Sequence, residues 1–234
     1  MKALVFNGPR DVRHESYPDP ELATDNSVIV KVERCSICGS DLHMYHGDNV
    51  GVANYSEGVE PFCVGHEFAG EVVEVGKSVH RHKVGQKVLA SGGAPCGRCE
   101  HCLSGHTALC KHWTAFGLST RLNGGQAEFV NVPMADLTLQ PIPEGVSDEQ
   151  SILLTDAMCT AYFGLTRTAM EPGDAVAVVG LGPIGLVGVE LAYVLGASKV
   201  YAIDPVANRP SHAANLGAAA LAPSQPLPTI LAAT

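Results

Sequence analysis

Four cysteines stand close together in the chain and have the spacing of a metal site. Cys96, Cys99, Cys102 and Cys110 follow the pattern C-x2-C-x2-C-x7-C. Four thiolates are a ligand set that zinc prefers in structural sites, and this spacing lets their sulfurs meet at one point. An iron–sulfur cluster and disulfides are the alternatives, and ligand type and spacing favour zinc. Because such a site is closed to substrate, we expect it to stabilise a lobe at about residues 92–112.

Cys38 and His66 are candidates for a different kind of zinc site. A catalytic zinc keeps three protein ligands and one open position. Cys38 lies in a Cys-Gly-Ser-Asp-Leu-His stretch and His66 in Gly-His-Glu, both outside the lobe. Taken alone, each is a weak signal, because a single buried Cys or His is more often structural than a ligand.

A glycine-rich turn indicates dinucleotide binding. Gly180, Gly182 and Gly185 follow an apolar strand and open a helix, and Asp204 ends the next strand nineteen positions later. The glycines allow a tight turn and close approach to pyrophosphate, which the helix N-terminus attracts. Asp204 would accept hydrogen bonds from ribose hydroxyls and repel a 2′-phosphate, so NAD is favoured over NADP. Arg209 lies nearby in the sequence, and its positive charge keeps NADP as the alternative.

The elements that must position these residues suggest two domains. Residues 1 to about 145 contain short apolar or alternating runs separated by Gly, Pro, Asp and Asn, which predict a small β-barrel or sandwich. Ser147 and Gln150 form a capping-box signature ahead of a helix predicted over 148–167. We therefore place the domains at 1–146 and 147–234. The predicted strands are 2–6, 27–32, 68–75, 86–90 and 127–132 in the first domain, and 175–179 and 199–203, joined by a helix, in the second.

Composition and charge exclude several classes of function. The net charge is −9, and the sequence lacks the clusters of Lys and Arg that nucleic-acid binding needs. Residues 175–197 contain a single side chain that is charged at neutral pH, Glu190, and could imitate a membrane span. Pro183 and the glycines favour a buried strand, turn and helix instead. The N-terminus carries no signal-peptide pattern, which favours the cytoplasm and metal binding over disulfides.

The sequence resembles the medium-chain zinc dehydrogenases, the family of alcohol, sorbitol and threonine dehydrogenases. The resemblance rests on four stretches in the family's order, namely 35–43, 65–72, 96–110 and 179–185. It implies an α/β plus β fold, in which a GroES-like β-barrel catalytic domain precedes a partial Rossmann domain with a doubly wound parallel sheet. It also implies two zinc ions per chain.

The resemblance implies specific roles around the open zinc. Cys38, His66 and Asp156 match its protein ligands. Cys159 competes with Asp156 on chemistry, since thiolate is the softer ligand, but would face about 300° around the helix from it. Glu67 matches an exchangeable ligand of this zinc. A buried, hydrogen-bonded carboxylate without a metal role is an equally favoured interpretation of Glu67.

Further residues match the family's proton relay and cofactor site. Ser40 and His43 correspond to the relay, and Thr160 would lie against the nicotinamide. Asp41 would hydrogen-bond His66, while Ser40 and Asp41 could also cap a helix beginning near Asp41. The match places the cofactor on Gly180, Gly182, Pro183, Ile184, Gly185, Asp204 and Arg209.

The expected function is zinc-dependent hydride transfer between an alcohol or polyol CH–OH group and NAD, or NADP less favourably. The chain ends soon after the second strand of the nucleotide-binding sheet, so we expect a truncated form of such an enzyme. A catalytically inactive zinc-binding fragment is the alternative. A zinc-ribbon interaction module is disfavoured by the second metal set and the acidic charge. A full-length form is expected to be a homodimer or homotetramer, with no nucleic-acid or membrane partner.

Overall fold

Antiparallel strands dominate the chain as far as residue 141. In the computed structural model, which describes residues 1–48 and 60–224, each strand predicted here forms within three residues of its predicted bounds. Additional strands of two or three residues, and the polar β2, were not predicted because they show no apolar alternation. The strands are β1 (Lys2–Gly8), β2 (Asp11–Ser16), β3 (Val28–Cys35), β4 (Phe62–Cys63), β5 (Phe68–Val75), β6 (Lys87–Ala90), β7 (Gly93–Ala94), β8 (Thr114–Ala115), β9 (Phe129–Val132) and β10 (Leu139–Pro141).

These strands form three antiparallel sheets. The largest has the order β10-β6-β5-β3-β9, the second has the order β2-β1-β4, and β7 pairs with β8. The two larger sheets are linked, because the Leu4 amide donates to the Gln126 carbonyl at 2.8 Å and the Glu128 amide to the Lys2 carbonyl at 3.0 Å. The segment that leads into β9 therefore continues the hydrogen bonding onto β1.

The main core of this region lies on one face of the five-stranded sheet. Val28 and Val30 in β3 and Val130 in β9 alternate inward and are at most 1% exposed. Phe68 packs edge-on against Phe116, with ring centroids 5.1 Å apart. Burial of each such side chain contributes about 1.5–3 kcal/mol.

The first compact unit runs from Met1 to Thr155, nine residues beyond the division predicted at 146/147. The predicted capping box forms, with Ser147 and Gln150 each accepting from the other's amide. The short helix it starts, α4 (Asp148–Ser151), packs on β3 and β5, and Glu149 pairs with Arg34 at 2.6 Å. The other helical segments of this unit are α1 (Gly39–His46), α2 (Glu100–Leu103), α3 (Ala135–Thr138) and 3-10 turns at Thr107–Leu109 and Ile152–Leu154.

The helix predicted over 148–167 is not continuous. The α-helical part ends at Ser151 and a 3-10 turn follows at Ile152–Leu154. Asp156 then leaves the helical conformation, with φ −147° and ψ −65°, and helix α5 (Ala157–Thr166) begins after it. The second unit starts at Asp156. The sequence signal was apolar periodicity, which a single non-helical residue leaves almost unchanged.

The second unit contains the predicted βαβ unit and one further repeat of it. Three parallel strands have the order β11-β12-β13, and residues from both connecting helices and the strands share one apolar core. The elements are β11 (Ala175–Val179), α6 (Pro183–Val194), β12 (Lys199–Ile203), α7 (Arg209–Asn215) and β13 (Ala219–Leu221).

The apolar segment 175–197 divides into β11 and α6, as expected from its proline and glycines. Helix α6 has 12 residues, whereas about 20 are needed to cross a bilayer. Across residues 1–48 and 60–224, no helix combines the length and apolar character of a membrane span.

Candidate active site

The four lobe cysteines converge on one point. Their sulfurs all lie within 4.8 Å of one another, with 3.5 Å between Cys99 and Cys102. Cys99 is the N-cap of α2, Cys102 lies within that helix, and Cys110 ends the 3-10 turn. None of the four is joined to another by a disulfide in this structure.

Backbone amides around the lobe stabilise negative charge on sulfur. The Cys110 sulfur accepts from the amides of Cys96 and His112. Amides of Cys102 and Lys111 lower the pKa of Cys99 to about 6, whereas burial and the Cys99 sulfur raise the pKa of Cys102 to about 12. Four thiolates at this separation repel one another unless a cation offsets their charge. The donor set therefore fits a tetrahedral divalent ion such as zinc.

A second group of metal-binding side chains lies in the first unit. Cys38 is the N-cap of α1, and His66 and Glu67 lie in the turn between β4 and β5. One ligand atom from each lies within 4.8 Å of the others. His66 and Glu67 are 6% and 8% exposed. A thiolate, an imidazole and a carboxylate meeting in a mostly buried place fit zinc with an open coordination position.

Close backbone packing fixes the position of His66. Its neighbour Gly65 has φ +95°, and a Cβ there would lie 2.4 Å from Cγ of Gln126. A Cβ on Gly117 or Gly124 would lie 2.3 Å from backbone atoms of Gly65. These three glycines allow chain segments to approach more closely than side chains would permit.

Asp41 has the expected capping role, and it faces His66 at a distance longer than the expected hydrogen bond. Its Oδ2 accepts the amide of Cys38 at 2.8 Å, as the third residue of α1. Its Oδ1 lies 3.6 Å from Nδ1 of His66. This leaves Nε2 of His66 as the nitrogen on the side of Glu67, 3.9 Å from its Oε1. The helix begins two residues earlier than expected, and Cys38, not Ser40, is its cap.

Ser40 and His43, the expected relay residues, both lie on α1. Ser40 is partly exposed and His43 is exposed. Nδ1 of His43 lies 3.2 Å from Oδ2 of Asp48. The imidazole thus has a carboxylate oxygen within hydrogen-bonding distance.

Three expected site residues open the second unit. Asp156 precedes α5, and its Oδ1 accepts the hydroxyl of Thr160 at 2.6 Å. Cys159 lies in the helix and is exposed as a whole residue. Partial desolvation of its sulfur, and then the charge of Asp156, raise the pKa of its thiol. Because Asp156 lies outside the helix, the angular separation expected for these two residues on one helix does not apply.

The glycine-rich turn has the backbone that the fingerprint requires. Gly180 has φ +90°, Gly182 is the N-cap of α6, and Pro183 opens the helix. A Cβ on Gly185 would lie 1.8 Å from the carbonyl oxygen of Gly180. Side chains are therefore excluded where the strand and helix meet, and Ile184 occupies the first turn.

Asp204 directly follows β12, and both of its carboxylate oxygens accept hydrogen bonds. Its Oδ2 accepts from the Leu181 amide and its Oδ1 from the Val206 amide, both at 2.7 Å. Arg209 reaches Oδ2 at 3.2 Å. The amides, and then Arg209, lower the pKa of Asp204. The residue expected to read the ribose is thus tied to the glycine-rich turn and to a cation.

Known proteins resemble this chain along its whole length, including both compact units. The family model for the alcohol dehydrogenase GroES-like domain matches residues 24–144, about half of the chain. A medium chain reductase/dehydrogenase of Acremonium sp. is 40% identical, over all of this chain and 80% of its own length. The chain belongs to the medium-chain, zinc-dependent alcohol dehydrogenase family.

Other members of the zinc-dependent alcohol dehydrogenase family match the whole chain but extend further. A probable zinc-binding alcohol dehydrogenase of Mycobacterium tuberculosis is 39% identical over 100% of this chain and 59% of its own. The solved alcohol dehydrogenase of Thermus sp. ATN1 superposes with a TM-score of 0.89 at 37% identity, covering 97% of this chain and 64% of the Thermus protein. The chain thus spans about 60% of these two relatives, and its fold is the GroES-like plus Rossmann arrangement that was expected.

Two residues of this dehydrogenase chain, one bonded to Glu67 and one supporting that residue, were not predicted. The Ser36 hydroxyl donates to Oε2 of Glu67, and the Gln126 side chain donates to the Ser36 carbonyl at 2.9 Å. Ser36 lies in the same short stretch as Cys38, so its place in the sequence could have suggested a role near the metal-binding group. Gln126 has no such signal, because it reaches the site from 90 residues away.

Proposed function

We propose that this chain carries the zinc and cofactor sites of an oxidoreductase that transfers hydride between an alcohol or polyol CH–OH group and NAD(P). The observation that carries the proposal is the meeting of Cys38, His66 and Glu67 within 4.8 Å, in addition to the complete four-cysteine lobe. A single structural zinc would require only the lobe.

Cys38, His66 and Asp156 are the proposed protein ligands of the open zinc site. Asp156 is assigned over Cys159 by the family match. Cys96, Cys99, Cys102 and Cys110 hold the second, structural zinc. When bound in the open site, zinc acts as a Lewis acid that lowers the pKa of an alcohol hydroxyl.

The chain's own residues then move the proton and orient the cofactor. We propose that Ser40 receives the hydroxyl proton and that His43 passes it towards solvent, since His43 is exposed and faces Asp48. Thr160 is proposed to lie against the nicotinamide. Its hydroxyl donates to Asp156, which would couple the orientation of the two side chains.

NAD remains the proposed cofactor. Solved relatives are described with NADH and with NADP, so family membership does not choose between them. The turn from Gly180 to Gly185, with Pro183 and Ile184 in the first turn of α6, would receive the pyrophosphate at the helix N-terminus. Asp204 favours ribose hydroxyls, whereas Arg209, 3.2 Å from it, supplies the charge that a 2′-phosphate would need.

The remaining expectations about the whole protein stay predictions. We expect a small alcohol or polyol as substrate, a homodimer or homotetramer when the dehydrogenase is full-length, and a cytoplasmic location.

Metal analysis and turnover together test the proposal. The purified chain is expected to hold two zinc ions, of which Cys38→Ala removes one and leaves the other. Formation of NADH with short alcohols, polyols and amino alcohols, followed by its absorbance, tests hydride transfer, and a full-length relative serves as positive control. One zinc that is indifferent to Cys38→Ala would refute the open site. Two zinc ions without turnover on any substrate would favour the inactive fragment.

A further inference from the structure

Glu67 is held by a neighbour that has no assigned role. We propose that Ser36 is a positioning residue, whose hydroxyl holds one carboxylate oxygen of Glu67 and thereby limits the approach of Glu67 to a metal at Cys38 and His66. This inference rests on the proposed open zinc site and deepens it. It gives the site a built-in restraint that keeps a coordination position for substrate.

Ser36 is itself fixed on both sides of its backbone. Its amide donates to the Glu67 carbonyl at 3.2 Å, and its carbonyl accepts from the Gln126 side chain at 2.9 Å. Gln126 is 8% exposed and packs against Gly65, the residue that precedes His66. The Ser36 hydroxyl is therefore presented to Glu67 from a rigid support.

The two oxygens of Glu67 face different groups. Oε2 accepts the Ser36 hydroxyl, and Oε1 faces Nε2 of His66 at 3.9 Å. A hydrogen bond from a hydroxyl to a carboxylate is stronger than a hydrogen bond between two neutral groups. Glu67 must break or stretch this bond to bind the metal through both oxygens or to move closer to it. The cost of breaking it opposes Glu67 in its competition with substrate for the metal.

Metal binding of this chain tests the restraint without relying on turnover. Zinc affinity at the Cys38-dependent site is measured by competition with a chromophoric chelator. Coordination is followed by the visible absorption of Co²⁺ placed in that site while the lobe retains zinc. The variants are Ser36→Ala, Ser36→Thr, Glu67→Ala and the double variant Ser36→Ala/Glu67→Ala. Ser36→Gly removes the same hydroxyl and serves if Ser36→Ala folds poorly.

Loss of the hydroxyl should release Glu67 onto the metal. We expect Ser36→Ala to raise zinc affinity about tenfold, the value of one hydrogen bond to a charged group, and to change the Co²⁺ spectrum. Ser36→Thr, which keeps the hydroxyl, should resemble the parent chain. In the Glu67→Ala background, Ser36→Ala should have no further effect on affinity or spectrum, because the group it restrains is gone.

Three outcomes would overturn the inference. An unchanged affinity and spectrum in both hydroxyl-free variants would show that the bond restrains nothing. Equal effects of Ser36→Ala with and without Glu67 would show a merely structural role. A parent chain that holds only the lobe zinc would remove the proposed function together with this inference, whereas the first two outcomes leave the proposed function intact.

Discussion

Nδ1 of His66 lies 3.6 Å from Oδ1 of Asp41, and both side chains are buried. The other oxygen of Asp41 accepts the amide of Cys38. One carboxylate thus lies against two proposed zinc ligands, beside the imidazole of His66 and, through the Cys38 amide, at the start of α1. Groups that orient metal ligands in this way typically change metal affinity by about 10- to 100-fold when they are replaced.

Asp41→Asn should therefore weaken the Cys38-dependent zinc by about 10- to 100-fold. The amide oxygen can still accept the Cys38 amide, so α1 should persist, while the negative charge beside His66 is lost. Chelator competition measures the affinity, and circular dichroism checks the helix. Asp19→Asn, at an exposed carboxylate, is the matched control and should leave zinc affinity unchanged. Equal affinities for Asp41→Asn and the parent would show that Asp41 only caps the helix.

Gly65→Ala should destabilise the first unit more than the same change at a glycine in open space. Both Gly65 (φ +95°) and Gly85 (φ +82°) have left-handed backbones, but nothing lies within 4 Å of a Cβ at Gly85, whereas one at Gly65 would meet Gln126. Left-handed strain costs about 1–2 kcal/mol in either variant, and overpacking adds about 1–3 kcal/mol at Gly65. Thermal unfolding of the two variants measures the difference, and similar losses would contradict the close packing around His66.

Cys99→Ser should remove the lobe zinc and loosen residues 96–110. A structural zinc contributes directly to folding of the segment it closes. Zinc content should fall by one ion, and limited proteolysis should begin cutting within the lobe. His106→Ala is the control, since the described ligand group at the lobe contains only cysteines. Loss of zinc in the histidine variant would mean that the ligand set is assigned wrongly.

Asp204→Asn should destabilise the protein at neutral pH but not at low pH. Amide donors lower the pKa of Asp204 in the folded state, below the value of about 3.9 for an unfolded aspartate. Its ionised form therefore contributes stability above about pH 3.9, and this contribution is lost as the pH falls through the folded pKa. Urea unfolding of the variant and the parent at several pH values gives the difference. If the difference in unfolding free energy between the parent and Asp204→Asn grew on acidification, the lowered pKa of Asp204 would be contradicted.

Arg209→Ala should lower the affinity for NADPH but not the affinity for NADH. The guanidinium lies beside Asp204, where it can offset a 2′-phosphate. Its removal should weaken NADPH binding about tenfold, as expected for a charge-assisted hydrogen bond. NADH binding should be retained or improved, because Asp204 gains freedom to accept from ribose. Calorimetry with both cofactors measures this, with Lys199→Ala as a control for loss of positive charge. Parallel losses for both cofactors would place Arg209 outside cofactor recognition.

Local sequence patterns determined much of this fold. The strands around Val30 and Val72 were predictable because side chains of a strand alternate between two faces, and burial of one face fixes the pattern. The capping box at Ser147 and the turn from Gly180 to Gly185 were predictable because a few adjacent residues fully define their geometry. The prediction of a continuous helix across Asp156 was wrong, because apolar periodicity carries no mark of one non-helical residue.

By itself, the sequence determined which side chains could bind zinc and in what order, because ligand chemistry is a property of residue type. Tertiary structure decided how they are oriented. The two roles of Asp41, the support of Ser36 by Gln126 and the engagement of Asp204 with Leu181 all join residues distant in the chain or depend on side-chain direction. Such contacts are set by how sheets and loops pack, and spacing along the chain does not encode them locally.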